Sequence, residues 1–132
     1  MFNINHVTIS VTNMEKSVDF YRKFTFKEFK QWKADDESIK INMLRLGNTV
    51  LEIFCYKEYE ELPESAKTVA TDLPVLGTKH FALGVDDIDK AKEFVIKNEI
   101  CKEVDIRKGR LGKRYFFIKD PDGILVEIIE ND

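Results

Sequence analysis

Ile4-Asn5-His6-Val7-Thr8-Ile9-Ser10-Val11 returns later in the chain as Thr78-Lys79-His80-Phe81-Ala82-Leu83-Gly84-Val85. Both stretches alternate in polarity with a period of two, the pattern of a half-buried strand. The amphipathic run after each follows in register. The echo resumes at the far end of each half, where Thr49-Val50-Leu51-Glu52-Ile53 answers Ile124-Leu125-Val126-Glu127-Ile128. Each half therefore opens on a histidine and closes on a glutamate inside an apolar run. The separation is 46 residues in the first half and 47 in the second, and the two histidines are the only ones in the chain.

Working outward from these strands, alternation predicts a first strand over 2–11, with Val7, Ile9 and Val11 on one face and His6, Thr8 and Ser10 on the other. Asn13 is a good N-cap for a helix over 14–23, where Val18, Tyr21 and Phe24 make the apolar stripe. Strands follow over 26–34, 39–46 and 49–56, with Leu46-Gly47-Asn48 as the turn between the last two. The second half repeats the order. A strand over 79–86 leads to Asp87 as N-cap, a helix over 88–98 built on Ile88, Ala91, Phe94 and Val95, and strands over 102–108, 113–120 and 124–130. Asp120-Pro121-Asp122-Gly123 is a turn, since Pro suits its first central position and Gly supplies positive φ. The fold class is α+β: two βαβββ modules in a single domain of residues 1–132. Module one is 1–56, a linker with Pro63 and Pro74 is 57–77, and module two is 78–132.

Bulk properties bound the function. A chain of 132 residues is one domain's worth and buries roughly two-thirds of its unfolded surface. With 43% hydrophobic and 34% charged residues and a net charge of -3, it has an ordinary globular composition and no electrostatic case for nucleic acid. No basic leader opens the chain, and no apolar run approaches the ~20 residues that span a bilayer. The expectation is a cytoplasmic protein without a membrane partner. Cys55 and Cys101 form no CxxC pair and are expected as free thiols of no assigned role.

Four side chains carry the chemistry. If the first and last strands of each half lie side by side, His6, Glu52, His80 and Glu127 converge on one divalent metal without any local motif. Imidazole nitrogen and carboxylate oxygen suit Zn²⁺, Ni²⁺ or Co²⁺, and four protein donors leave coordination positions for substrate oxygen. The residues beside the histidines, Thr8, Ser10, Ala82 and Gly84, are small and leave space for a pocket. Arg45, Arg107, Arg110 and Arg114 are candidates for holding an anionic group. Phe54, Tyr56 and Tyr115 are candidates for lining the pocket, and Trp32 for a rim or a dimer contact.

These features resemble the vicinal oxygen chelate superfamily, which includes glyoxalase I, fosfomycin-resistance proteins, methylmalonyl-CoA epimerase, extradiol dioxygenases and bleomycin-resistance proteins. The resemblance rests on the opening strand with His6, the helix segment Ser17-Val18-Asp19-Phe20-Tyr21, the second opening strand with His80, and Asp120-Pro121-Asp122-Gly123 followed by Glu127. It implies paired modules forming a cupped mixed sheet around one divalent metal, nickel or zinc, in a homodimer acting on a small molecule. Glutamate at position 52 matches the ligand set of glyoxalase I, where the epimerases carry Gln. The implied activity is thus isomerisation of a thiol-aldehyde hemithioacetal to a 2-hydroxyacyl thioester, with Glu127 as first choice for the base and Glu52 as second. Ser10 and Tyr56 depart from the arginine and asparagine that hold glutathione in such enzymes, which counts against glutathione as the thiol. The alternatives are another metal-dependent member, such as an epimerase or a thiol transferase acting on an antibiotic, and a drug-binding resistance protein.

Overall fold

A computed structural model describes all residues, 1–132, and divides into two compact units, Met1–Glu61 and Leu62–Asp132. The first unit runs β1 (His6–Val11), α1 (Met14–Arg22), β2 (Lys27–Lys33), β3 (Ile39–Leu46) and β4 (Thr49–Tyr56). Its sheet has the order β1-β4-β3-β2, with β1 parallel to β4 and the other pairs antiparallel. Parallel strands need a long crossover. Here α1, β2 and β3 supply it, so the first and last strands become neighbours.

The Asn13 side chain accepts from Lys16 N at 3.0 Å and starts α1. Val18 and Tyr21 are buried as the helical stripe requires, and Phe24 is half-buried. They cover the sheet face that carries Ile9, Val11, Leu44, Leu51 and Ile53, all buried. Fully burying one such side chain contributes about 1.5–3 kcal/mol. Strand alternation then forces His6, Thr8, Ser10, Glu52 and Phe54 onto the other face, free of the core.

The second unit contains a 3₁₀ turn (Glu64–Lys67), α2 (Val69–Asp72), β5 (Phe81–Val85), α3 (Ile88–Lys97), β6 (Arg107–Lys108), β7 (Arg114–Lys119) and β8 (Leu125–Glu130). Its sheet order, β5-β8-β7-β6, repeats that of the first, again with one parallel pair, β5 with β8. Together these are two four-stranded mixed sheets with few helices, the α+β architecture expected. Buried Asp120 ties its turn together by accepting from Asp122 N at 2.9 Å and Ile124 N at 3.0 Å. Lys79 reaches back to Asp72 at 3.2 Å and fixes the entry to β5.

Three local expectations are corrected. The first strand begins at His6 rather than Phe2, and Met1, Phe2 and Ile4 are exposed with no neighbouring strand to pair with. The strand expected over 102–108 is reduced to Arg107–Lys108, because Lys102, Glu103 and Asp105 are exposed and give the segment no buried face to hold it. Phe94 is 40% exposed, so the core side of α3 rests on Ile88 and Val95.

Candidate metal centre

Register places the first pair. Thr8 is the Cα partner of Glu52 across β1 and β4, and His6 lies two residues before Thr8 on the same face. His6 Nε2 accordingly comes within 3.6 Å of Glu52 Oε1. The second unit builds the same arrangement independently: Ala82 faces Glu127 across β5 and β8, and His80 Nε2 lies 3.0 Å from Glu127 Oε2. All four side chains are partly shielded, between 15% and 36% exposed. Each half thus joins the histidine and glutamate that the repeat had marked.

The donor spacings can be compared with those of a metal's coordination shell. Two donors about 2.1 Å from one ion stand about 3.0 Å apart at a cis octahedral edge and about 3.4 Å apart at a tetrahedral one. The His80–Glu127 separation of 3.0 Å equals the octahedral edge, whereas His6–Glu52 at 3.6 Å is wider than either. No group of three or more His, Cys, Asp or Glu side chains that could hold a metal ion is gathered anywhere in the chain, so the expected four-residue set is present only as two separate His–Glu pairs.

The hydrogen bonds around the pairs differ. His6 Nδ1 lies 2.7 Å from Asn5 Oδ1. The Asn5 side-chain amide thus engages Nδ1 and leaves Nε2 as the ring nitrogen facing the Glu52 carboxylate. Thr8 Oγ1 donates to Glu52 Oε1 at 3.0 Å and orients that carboxylate. In the second half Ala82 stands in the place of Thr8, and Glu127 meets only His80. The His80 ring packs edge-on against Phe117, centroids 4.7 Å apart, and Phe117 in turn against Tyr115 at 5.8 Å.

The remaining candidates separate clearly. Arg114 is bound to Glu130 and Asp89, and Arg107 to Asp105, whereas Arg110 sits in the turn before β7. Arg45 lies over the Phe29 ring, 4.2 Å from its centroid. Phe54 and Tyr56 stack at 6.3 Å on the Glu52 face. Gly84 is not pocket space, since a Cβ there collides with Asn131 Oδ1. Phe117, Asn5 and the Thr8 hydroxyl were not assigned from sequence. Phe117 sits opposite Glu127 in register, a relation visible only once the strands are paired.

A cleft of about 650 Å³ opens elsewhere, lined by Met14 and Val18 of α1 and by Glu28, Trp32 and Asn42. None of the four histidines and glutamates lines it. The Glu28 carboxylate inside is already held by Arg22, Gln31 and Asn42.

The chain matches the Glyoxalase/Bleomycin resistance protein/Dioxygenase superfamily over residues 3–128. It is 29% identical to the uncharacterized protein YwkD of Bacillus subtilis, across 97% of this chain and 96% of the relative. It is 25% identical to human mitochondrial methylmalonyl-CoA epimerase, across 95% of this chain and 72% of that protein. Among solved structures, a glyoxalase family protein from Enterococcus faecalis superposes with a TM-score of 0.81 at 28% identity over 97% of each chain. The duplicated sheets, with a histidine and a glutamate at matching places in each, and a match that spans nearly the whole sequence lead to one assignment: the chain belongs to the glyoxalase/bleomycin resistance/dioxygenase superfamily.

Proposed function

We propose that the protein is a glyoxalase I-like isomerase that converts the hemithioacetal of a 2-oxoaldehyde and a small thiol into a 2-hydroxyacyl thioester. The observation that carries this reading is the pair of His–Glu edges, one per half, with a glutamate and not an amide at position 52. His6, Glu52, His80 and Glu127 would together hold one divalent ion, nickel or zinc. When bound, the ion supplies Lewis-acid stabilisation of negative charge developing on neighbouring substrate oxygens.

The unequal hydrogen bonding divides the work between the carboxylates. Glu52, oriented by Thr8, is a fixed ligand. Glu127, opposite Ala82 and without a hydroxyl donor, is free to leave His80, take the proton from the carbon that bears the aldehyde-derived hydroxyl and deliver it to the adjacent former carbonyl carbon, while the hydroxyl proton passes from the first oxygen to the second. Phe117 packs edge-on against the His80 ring beside that carboxylate.

The test is thioester absorbance from methylglyoxal and a panel of low-molecular-weight thiols, with nickel- or zinc-loaded protein. Turnover should require the metal, and Glu127→Gln should reduce it by about 10²–10⁴-fold while metal remains bound. No turnover with any metal and any thiol would overturn the proposal. The similarity to methylmalonyl-CoA epimerase favours a second reading, proton exchange beside a thioester carbonyl. Metal-dependent deuterium uptake at that carbon of methylmalonyl-CoA, without thioester formation from methylglyoxal, would select it. In either case the protein is read as a homodimer of the cytoplasm acting on a small molecule, and a monomeric mass at micromolar concentration would contradict the dimer. No helix is long and apolar enough to cross a membrane.

A further inference from the structure

The geometry points to Arg45 as an anion-binding residue that selects substrates carrying a carboxylate or phosphate at the end remote from the reacting oxygens. This inference rests on the metal-centre reading above and adds a substrate class to it.

Register sets the placement. His6 is the Cα partner of Val50, and Val50 is the Cα partner of Arg45, so the three share one row and one face of the first sheet. Two steps between strands put Arg45 about 10 Å from His6 along that row. The next residue in the row, Lys27, is also cationic, and Lys30 stands in the row of Thr8, Glu52 and Met43. Along these two rows Glu52 is the one carboxylate, against three cations.

The guanidinium is held ready for a ligand. Arg22, Arg107 and Arg114 all have carboxylate partners. Arg45 has an aromatic one: its guanidinium lies over Phe29 at 4.2 Å. The register of β2 shifts between Glu28 and Lys30, which makes Phe29 the extra residue of a bulge. A bulge re-aims a side chain. Here it turns an apolar ring that is 44% exposed onto the face of Arg45. The ring contacts the guanidinium without engaging its N–H groups in a carboxylate pair, and those N–H groups bind carboxylate or phosphate with two parallel hydrogen bonds. Arg110 offers no such arrangement, because it lies in an exposed turn off the sheet face.

A substrate that spans the row has its reacting oxygens near His6 and Glu52 and an anionic group about 10 Å or more away. This also answers the Ser10 departure: the charge absent from β1 is supplied by β3. The discriminating experiment is calorimetric binding of monohydroxamates of succinic, suberic and sebacic acids to the nickel-loaded protein, each compared with its methyl ester. The hydroxamate occupies the metal, and the chain length places the carboxylate. Suberic and sebacic acids should bind about tenfold tighter than their esters, whereas succinic acid, too short to bridge, should show no such preference. Arg45→Gln should abolish the preference while leaving ester binding unchanged. Phosphonate-terminated analogues of the same lengths then tell which anion is preferred. Equal binding of acid and ester in the unmodified protein, or a preference that survives Arg45→Gln, would overturn the assignment. If no hydroxamate or ester binds the nickel-loaded protein, the metal centre itself is wrong and Arg45 falls with it.

Discussion

At residue scale, the two halves are alike in their histidine–glutamate pairs and unlike in what touches them. Asn5 holds the His6 ring at Nδ1, and Thr8 holds Glu52, whereas the His80 ring packs on Phe117. Removing the Thr8 hydroxyl leaves Glu52 with no partner but His6. We expect Thr8→Val to weaken nickel or zinc binding about tenfold and Thr8→Ser to restore it, as followed by calorimetry. Ala82→Thr should do the reverse in the second half, tethering Glu127 and lowering kcat with little change in metal affinity. An unchanged metal affinity in Thr8→Val would mean that the hydroxyl does not position the carboxylate. The pairing of each histidine with the glutamate of its own half was legible in the sequence because the repeat marked them. The role of Thr8 was not, since a residue 44 positions away becomes a neighbour only through strand register, and the sequence reading saw there only a small side chain. Gly84 misled for a related reason: the space it leaves is taken by Asn131, from the far end of the chain.

At the scale of the element, the strands with strict alternation and the helices with clear caps were legible nearly to the residue, as β3, β4 and α3 show. Segments whose order depends on contacts made elsewhere were not. β6 shrinks to two residues, and the bulge at Phe29 has no local signature that distinguishes it from continuous strand. Charge also ties the second sheet to its helix. Arg114 on β7 bridges Glu130 on β8 and Asp89 on α3 at 2.7 and 3.1 Å. The hydrogen bond from Arg114 holds the Glu130 carboxyl below its ordinary value of 4.5. A depressed carboxyl stabilises the fold above that ordinary value and loses its contribution as pH falls through the folded one. Arg114→Gln should therefore lower the melting temperature at neutral pH, and the gap between variant and parent should close as pH falls below 4.5. A gap that stays constant into acid would exclude the pair as its source. Within the first sheet the expectation is simpler: Leu44→Ala, at a fully buried site on β3, should cost about 2–5 kcal/mol in denaturant unfolding.

For the whole molecule, duplication has a consequence that stoichiometry can read. One His–Glu edge supplies two protein donors, too few for the three or four typical of a tight zinc site. The two edges of a chain have donor spacings of 3.6 and 3.0 Å, and the proposal assigns one edge of each kind to every ion. Were the halves independent, each chain would bind two ions weakly, and losing one histidine would halve the count and leave the remaining affinity intact. If the edges act jointly, the unmodified protein binds one ion per chain, and either His6→Ala or His80→Ala removes tight binding altogether. The effect should also appear in stability, because an ion that binds only the folded form raises unfolding free energy by about 2.7 kcal/mol at a hundredfold excess over its dissociation constant. Nickel or zinc should thus raise the melting temperature of the unmodified protein and of Arg45→Gln alike, and of neither histidine variant. Acid should reverse the gain, since protons compete with the ion for imidazole and carboxylate. Two ions per chain, or a single-histidine variant that keeps half the ions at full affinity, would separate the halves into independent weak sites and remove the basis for a shared reaction centre.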